Sequence, residues 1–245
     1  MKLHVINPNS SASMTDGIRR TAIAACSPGT KIIAQSAFGT PASIEGYADE
    51  ARSVAAMLDA VIEAERNGAV AHIIACFDDP GLDAAREVAL GPVIGLCEAA
   101  FIAAAGIAKR YSVVTTLPRS IPIIEELADR YGTGRGLRSI RAADVPVLDL
   151  ECQSEQAVRK VAETMRLAVA EDGAEAVILG CAGMSTHLET LSAAAGVPVI
   201  DGLAFSVCMA EAFVNVGLRT SKVGAYAFPR LKNIPETRLA SIGEV

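Results

Sequence analysis

The chain has no tryptophan, and aromatic residues fill only 4% of its 245 positions. A core made from this sequence therefore rests on Ala, Val, Ile and Leu. It has no Cys-x-x-Cys pair, and its three histidines (His4, His72 and His187) are scattered, so no zinc-ligand spacing is present. No basic cluster offsets the net charge of −6, which argues against nucleic acid or an anionic membrane as the main partner. No run approaches the ~20 apolar residues of a membrane helix. The opening MKLHVINPNSS has one lysine and a short apolar run before it turns polar, unlike a signal peptide. These absences lead us to expect a cytoplasmic protein with no metal and no membrane partner.

Hydrophobic residues make up 51% of the chain and charged ones 20%, enough for a sizeable core. A single core stops growing near ~250 residues, so the length allows one large domain or two small ones. Strand and helix patterns alternate. LHVIN reads as a strand running into NPNSS, with Ser13 as a candidate helix cap and Asp16 in the capping-box position. KIIAQSAF is a second strand. Residues 49–66 place Val54, Met57, Leu58, Val61 and Ile62 at helical spacing, stopped by Asn67-Gly68. AVAHIIAC, the short helix GLDAAREVAL and GPVIGL follow. Such alternation predicts an α/β fold with a parallel sheet covered on both faces.

The second half repeats the first. YSVVTTLPRS resembles LHVINPNSS, AEAVILGCAGM resembles VAHIIACFDDP, and GVPVIDG resembles LGPVIGL. Cys76 to Cys181 is 105 residues, Pro92 to Pro198 is 106, and Val5 to Val113 is 108. We expect two homologous lobes: residues 1–96 with 205–245, and residues 97–204. Each is of ordinary domain size. The final helix, near 204–217, is expected to fold back on the first lobe. GTGRG at 132–136 reads as a surface turn, since it lacks the spacing and ending of a phosphate loop.

The duplication delivers a thiol twice to the carboxyl end of a strand, where parallel sheets bind ligands. Facing lobes would set Cys76 and Cys181 across a cleft. A disulfide is one use of such a pair, but a reducing cytosol disfavours it. The other use is proton transfer at a stereocentre, where one thiolate removes a proton and one thiol returns a proton to the opposite face. A free thiol titrates near ~8.5, so a thiolate needs backbone N–H donors or a helix N-terminus. Gly81 with its helix, and Ala182-Gly183, are the candidates. The developing enolate needs hydrogen-bond donors, for which Asn9, Ser10, Thr115 and Thr116 stand at the strand tips. Phe77 is a candidate pocket wall. Cys26, Cys97, Cys152 and Cys208 read as core residues, and His4 and His72 as structural. Asp78 and Asp79 suit a helix N-terminus, and Arg119 a turn or a ligand contact. Glu45 and Glu98 have no assigned role.

INPNSS, TPASIEG, IACFDDPGLDAARE, GPVIG, VTTLPRS, LGCAGM and VPVIDG together resemble hydantoin racemases of the aspartate/glutamate racemase superfamily. The likeness runs from residue 3 to about 229. It implies two flavodoxin-like lobes with the active site between them. It also implies racemisation of 5-monosubstituted hydantoins without a cofactor, with Cys76 and Cys181 as the two acid/base residues, in a homo-oligomer. Allantoin racemases share the CF-x-DPGL and TTLPR patterns and are the nearest rival. Amino-acid racemases follow the first cysteine with Asn-Thr and the second with Thr-x-His. Phe77-Asp78-Asp79 and Ala182-Gly183 stand there instead, and His187 lies too far along, which argues against a clamp for a free amino acid. A decarboxylase of the superfamily dispenses with one thiol, a maleate-type isomerase needs cationic grips, and a non-catalytic binder has no use for paired thiols.

Overall fold

A computed structural model describes residues 1–151 and 154–230. Cys152 and the 231–245 part of the expected first lobe lie outside the described residues. The first half runs β1 (Lys2–Asn7), α1 (Ala12–Ala25), β2 (Lys31–Ser36), α2 (Tyr47–Arg66), β3 (Ala71–Ile74), α3 (Leu82–Val88), β4 (Val93–Gly95) and α4 (Leu96–Ile107). The second runs β5 (Tyr111–Thr115), α5 (Ile121–Arg130), β6 (Leu137–Ala142), α6 (Val147–Glu151), α7 (Glu155–Asp172), β7 (Ala176–Leu179), α8 (Leu188–Ala195), β8 (Val199–Ile200) and α9 (Gly202–Asn215).

The strands form two parallel sheets of the same order, β2-β1-β3-β4 and β6-β5-β7-β8. Registers repeat as well: Val5 pairs with Ile73 in one sheet, and Val113 with Ile178 in the other. The α/β fold with two matched halves therefore holds.

Alternation along the strands explains how the sheets are covered. Successive side chains point to opposite faces. Val5, Ile73, Val113 and Ile178 turn inward and join α1, α4, α5 and α9 in one continuous core. Ile6 and Ile74 turn outward onto Met57, Val61 and Leu82 of α2 and α3. Val114, Val177 and Leu179 turn outward onto Val161 and Met165 of α7 and Leu191 of α8. The order of layers is thus helices, sheet, shared helices, sheet, helices. Phe101 of α4 sits at the centre, fully buried, with the Phe77 and Tyr111 rings 6.4 and 6.1 Å away. The last helix, α9, packs on α1, α4, β3 and β4.

Several sequence expectations change. The cap of α1 is Ser11, whose side chain accepts the Met14 N–H at 3.2 Å, and not Ser13. The chain leaves β1 at Asn7 and enters the helix two residues sooner than expected. Cys97 is buried, Cys26 is half-buried, and Cys208 is exposed on α9, so Cys208 is not a core residue. His4 and His72 are fully buried with Nδ1 atoms 3.1 Å apart.

Candidate active site

The carboxyl ends of both sheets open into one cleft of about 410 Å³, part of it continuous with solvent. Every inner strand tip contributes. Asn9 and Met14 follow β1, Ala75 to Asp78 follow β3, Thr115 ends β5 with Thr116 and Ser120 after it, and Gly180 to Ala182 follow β7. Ile44 from the loop after β2 and Val147 at the start of α6 complete the lining. Cys76 and Cys181 both stand in this lining and are both partly exposed to it. Of the other residues expected at the site, Asn9, Phe77, Thr115, Thr116 and Ala182 line the cleft, whereas Ser10 and Gly183 do not. Ser10 is exposed, and its N–H fastens Pro41 O at 2.9 Å. Gly183 instead gives its backbone N–H to Cys181.

The Asp/Glu/hydantoin racemase family model matches residues 3–210. The chain belongs to this family. It is 53% identical to a hydantoin racemase of Rhizobium meliloti over 232 residues, 95% of this chain and 96% of that protein. It is 43% identical to a hydantoin racemase of a Pseudomonas strain over 95% of this chain and 93% of the other. The solved structure of allantoin racemase from Klebsiella pneumoniae superposes with a TM-score of 0.93 at 45% identity, covering 96% of both chains. The chain is accordingly a racemase, an isomerase.

Local geometry sets the chemistry available to this racemase. Gly180, just before Cys181, is packed so closely that an added Cβ would lie 2.9 Å from Thr115 Cβ and from Val114 O. The Thr115 hydroxyl donates to Gly180 O at 3.1 Å, which fixes the same turn. Asn9 is held by Asn7, whose Nδ2 donates to Asn9 Oδ1 at 2.7 Å. Among the described residues Asn9 Nδ2 donates only to the thioether of Met14, at 3.1 Å, a weak acceptor that a carbonyl oxygen can displace. Thr116 and Ser120 are largely buried residues that line the cleft, and their hydroxyls make no side-chain hydrogen bond among the described residues. No basic side chain lines the cleft among the described residues. Arg119 instead lies over Gly46, where its guanidinium would meet an added Cβ at 2.9 Å.

Burial pushes both thiols up. Cys76 is raised well above the ordinary thiol range by burial and then by the negative Asp78, against the opposing Asp78 backbone N–H. Burial pushes Cys181 up to about 11, while the backbone N–H groups of Gly183 and Met184 pull it down. The donor at the first thiol is thus the Asp78 amide and not the Gly81 helix. Gly81 sits away, against Val54 and Met57.

Asp79 was expected near a helix start. It serves one eighteen positions on: its carboxylate accepts the Cys97 and Glu98 N–H groups at 3.0 and 2.9 Å, and the Tyr131 hydroxyl at 2.7 Å. Burial raises it to about 7 against these three donors. Position Gly95 is open because Asp79 fills it; an added Cβ there would lie 2.4 Å from the carboxylate. In the second lobe the matching position is Asp201, which caps α9 through Leu203 N–H at 2.9 Å and accepts the Ser185 hydroxyl at 2.9 Å. The loops after Cys76 and Cys181 are therefore each tied to the helix following the fourth strand.

Sequence reasoning missed Met14, Ile44, Ser120 and Val147. Ile44 is held over the cleft by its neighbour Glu45, whose carboxylate accepts the Val147 N–H at 3.1 Å. A glutamate in a loop gives no local sign of a partner 102 residues away. Among the described residues no group of His, Cys, Asp or Glu is placed to hold a metal ion, and no helix is long and apolar enough to cross a membrane.

Proposed function

We propose that this racemase interconverts the enantiomers of 5-monosubstituted hydantoins by two-base proton transfer between Cys76 and Cys181, without a cofactor. The observation that carries the reading is the presence of both thiols, from matched positions of two lobes, in the lining of one cleft. One thiolate takes the C5 proton, and the electron pair passes to the adjacent carbonyl as an enolate. The other thiol gives its proton to the opposite face, so the enantiomer forms and the two sulfurs exchange roles. Asn9 Nδ2 and the Thr116 and Ser120 hydroxyls supply hydrogen bonds to the enolate oxygen. Gly183 and Met184 donate to Cys181 Sγ, which favours Cys181 as the first thiolate in the free protein. A neutral ring suits a cleft without a basic lining.

Allantoin, a hydantoin with a ureido group at C5, is the second reading. The 45% identical Klebsiella allantoin racemase favours it, as the 53% identical Rhizobium hydantoin racemase favours the first reading. The test is NMR in D2O with L-5-benzylhydantoin and, separately, (S)-allantoin, following loss of C5–H together with optical rotation. Racemisation of the benzyl compound with little on allantoin supports the first reading, and the reverse supports the second. Silence with both refutes the proposal. Cys76→Ser and Cys181→Ser should each lower racemisation by about 10²–10⁴-fold. Each single variant should keep C5 exchange for one enantiomer, and normal racemisation by both would sink the two-base scheme.

We also propose that 1–96 with 205–245, and 97–204, are the two duplicated lobes, and that the protein is a cytoplasmic homo-oligomer. Exposed Ile102 and Ile107 on α4 and Phe205 on α9 support the assembly. A monomer mass by light scattering would refute it.

A further inference from the structure

Asp78 and Asp79 are neighbours with opposite circumstances. Asp79 is satisfied by three donors. Asp78 is only 7% exposed, lines the cleft beside Cys76, and accepts no hydrogen bond among the described residues. Among the described residues it is the only carboxylate in the lining, and the cleft's other ionisable groups are the two thiols. Its oxygens have no protein donor among the described residues and face the cleft, so they are free to accept an N–H from a ligand, and a charge-assisted bond of that kind is stronger than a neutral one. The carboxylate also stands between two spaces. A second depression of about 760 Å³ shares Asp78 and is lined by Glu50, Asp79, Asp83 and Glu126, with Arg130 as its single cation among the described residues. The approach on this side is therefore predominantly negative.

We infer that Asp78 is a substrate-recognition residue: its carboxylate accepts an N–H of the cyclic ureide and excludes carbon acids that carry a carboxylate. This rests on the proposed hydantoin or allantoin chemistry and adds the group that reads the substrate. Hydantoins and allantoin offer N–H donors next to the reacting carbon and no fixed negative charge. Free amino acids and ring-opened N-carbamoyl acids bring a carboxylate that Asp78 would repel. The two halves are not equivalent here. The position matching Asp78 in the second lobe is Gly183, which has no side chain and gives its N–H to Cys181. Recognition by Asp78 is therefore confined to one side of the cleft. The neighbourhood fits a group that waits for a donor, since burial and then Glu50 raise Asp78 to about 7. Asp78 in turn raises both Cys76 and Cys181, so an N–H that offsets its charge makes either thiol easier to ionise.

The test separates acceptor from charge. Asp78→Asn keeps an acceptor oxygen and loses the charge, whereas Asp78→Ala loses both. With 5-benzylhydantoin, Asp78→Ala should raise KM about 10- to 100-fold, and Asp78→Asn, which loses the charge in the same way, should match Asp78→Ala in kcat but recover most of the affinity. With hydantoin-5-acetate, which adds a carboxylate to the same ring, Asp78→Asn should exceed the wild type in kcat/KM by about tenfold or more. A measurement on the unaltered protein stands beside these. 1-Methyl- or 3-methyl-5-benzylhydantoin should lose about tenfold or more in kcat/KM on the wild type, and the same methyl group should cost Asp78→Ala less than about threefold. Unchanged KM in Asp78→Ala, or methyl and alanine penalties that simply add, overturns the inference. Wild-type protein that racemises neither benzylhydantoin nor allantoin instead refutes the underlying functional reading.

Discussion

Replacing Asp79 by alanine removes the acceptor for two backbone N–H groups in the first turn of α4, at Cys97 and Glu98, and for the Tyr131 hydroxyl. Cys97 is fully buried and water cannot take over there. Each buried donor left without a partner costs about 1–3 kcal/mol. The tyrosine is only partly buried, so its hydroxyl can turn toward solvent at lower cost. The expected loss is about 3–5 kcal/mol. Since 1 kcal/mol moves the melting point by about 2–4 °C in a chain of this size, Tm should fall by about 6–20 °C. The second lobe suggests a rescue. There the carboxylate stands at the cap position itself, as Asp201, where the first lobe has Gly95. The double variant Asp79→Ala/Gly95→Asp should regain at least half of the lost Tm, because the new carboxylate enters the space the old one left. Calorimetry and urea unfolding of the wild type and the two variants are the assay. A loss below about 1 kcal/mol in the single variant would refute the idea that Asp79 holds the start of α4. A double variant no better than the single would refute the equivalence of the two caps.

Three further outcomes are expected. His4 is buried and neutral, with its pKa lowered from 6.5 to about 3 by burial and then by His72. The unfolded chain takes up this proton first, so the contribution is present above pH 6.5 and is lost as pH falls toward 3. The stability margin of wild type over His4→Gln should shrink by about 2 kcal/mol between pH 7 and pH 5 in urea titrations; a constant margin refutes this. The raised thiols predict that kcat/KM climbs with pH by nearly one log unit per unit across pH 7–9, because the thiolate fraction grows tenfold per unit below the pKa; a profile already flat at pH 7 contradicts it. Gly180→Ala forces a Cβ against the Val114 carbonyl and should displace Cys181, at a cost of about 1–3 kcal/mol in stability and more than about tenfold in kcat. Wild-type turnover in that variant would show that the turn can give way.

The parallel sheets, the duplication and the strand-end cysteines were legible because they are written locally, as apolar runs ending in turn residues and repeated at near-constant offset. Phe77, Asn9, Thr115 and Thr116 reached the cleft for the same reason, since each sits at a strand tip. Ser10 shares its tip with Asn9 but turns outward to bind Pro41, a contact between two loops that no periodicity encodes. Ile44 and Val147 were missed because a loop of the first half and the start of α6 in the second meet only in the folded chain. Asp79 was recognised as suited to a helix start, but α3, the nearest helix, is not the one it caps. Arg119 had two readings; it packs on Gly46, at the start of α2, and does not line the cleft.

The unequal match of Asp78 with Gly183 has a consequence for any reaction that interconverts mirror images. In achiral water the two enantiomers have the same free energy, so the equilibrium constant is one. The two directions must then share one value of kcat/KM, however lopsided the walls of the cleft. A carboxylate on one side can hold one enantiomer more tightly only if it also releases that enantiomer's turnover more slowly, in the same proportion. Asymmetry in this lining is therefore expressed as a split in KM and kcat between the two hands, and their ratio stays fixed by the solvent.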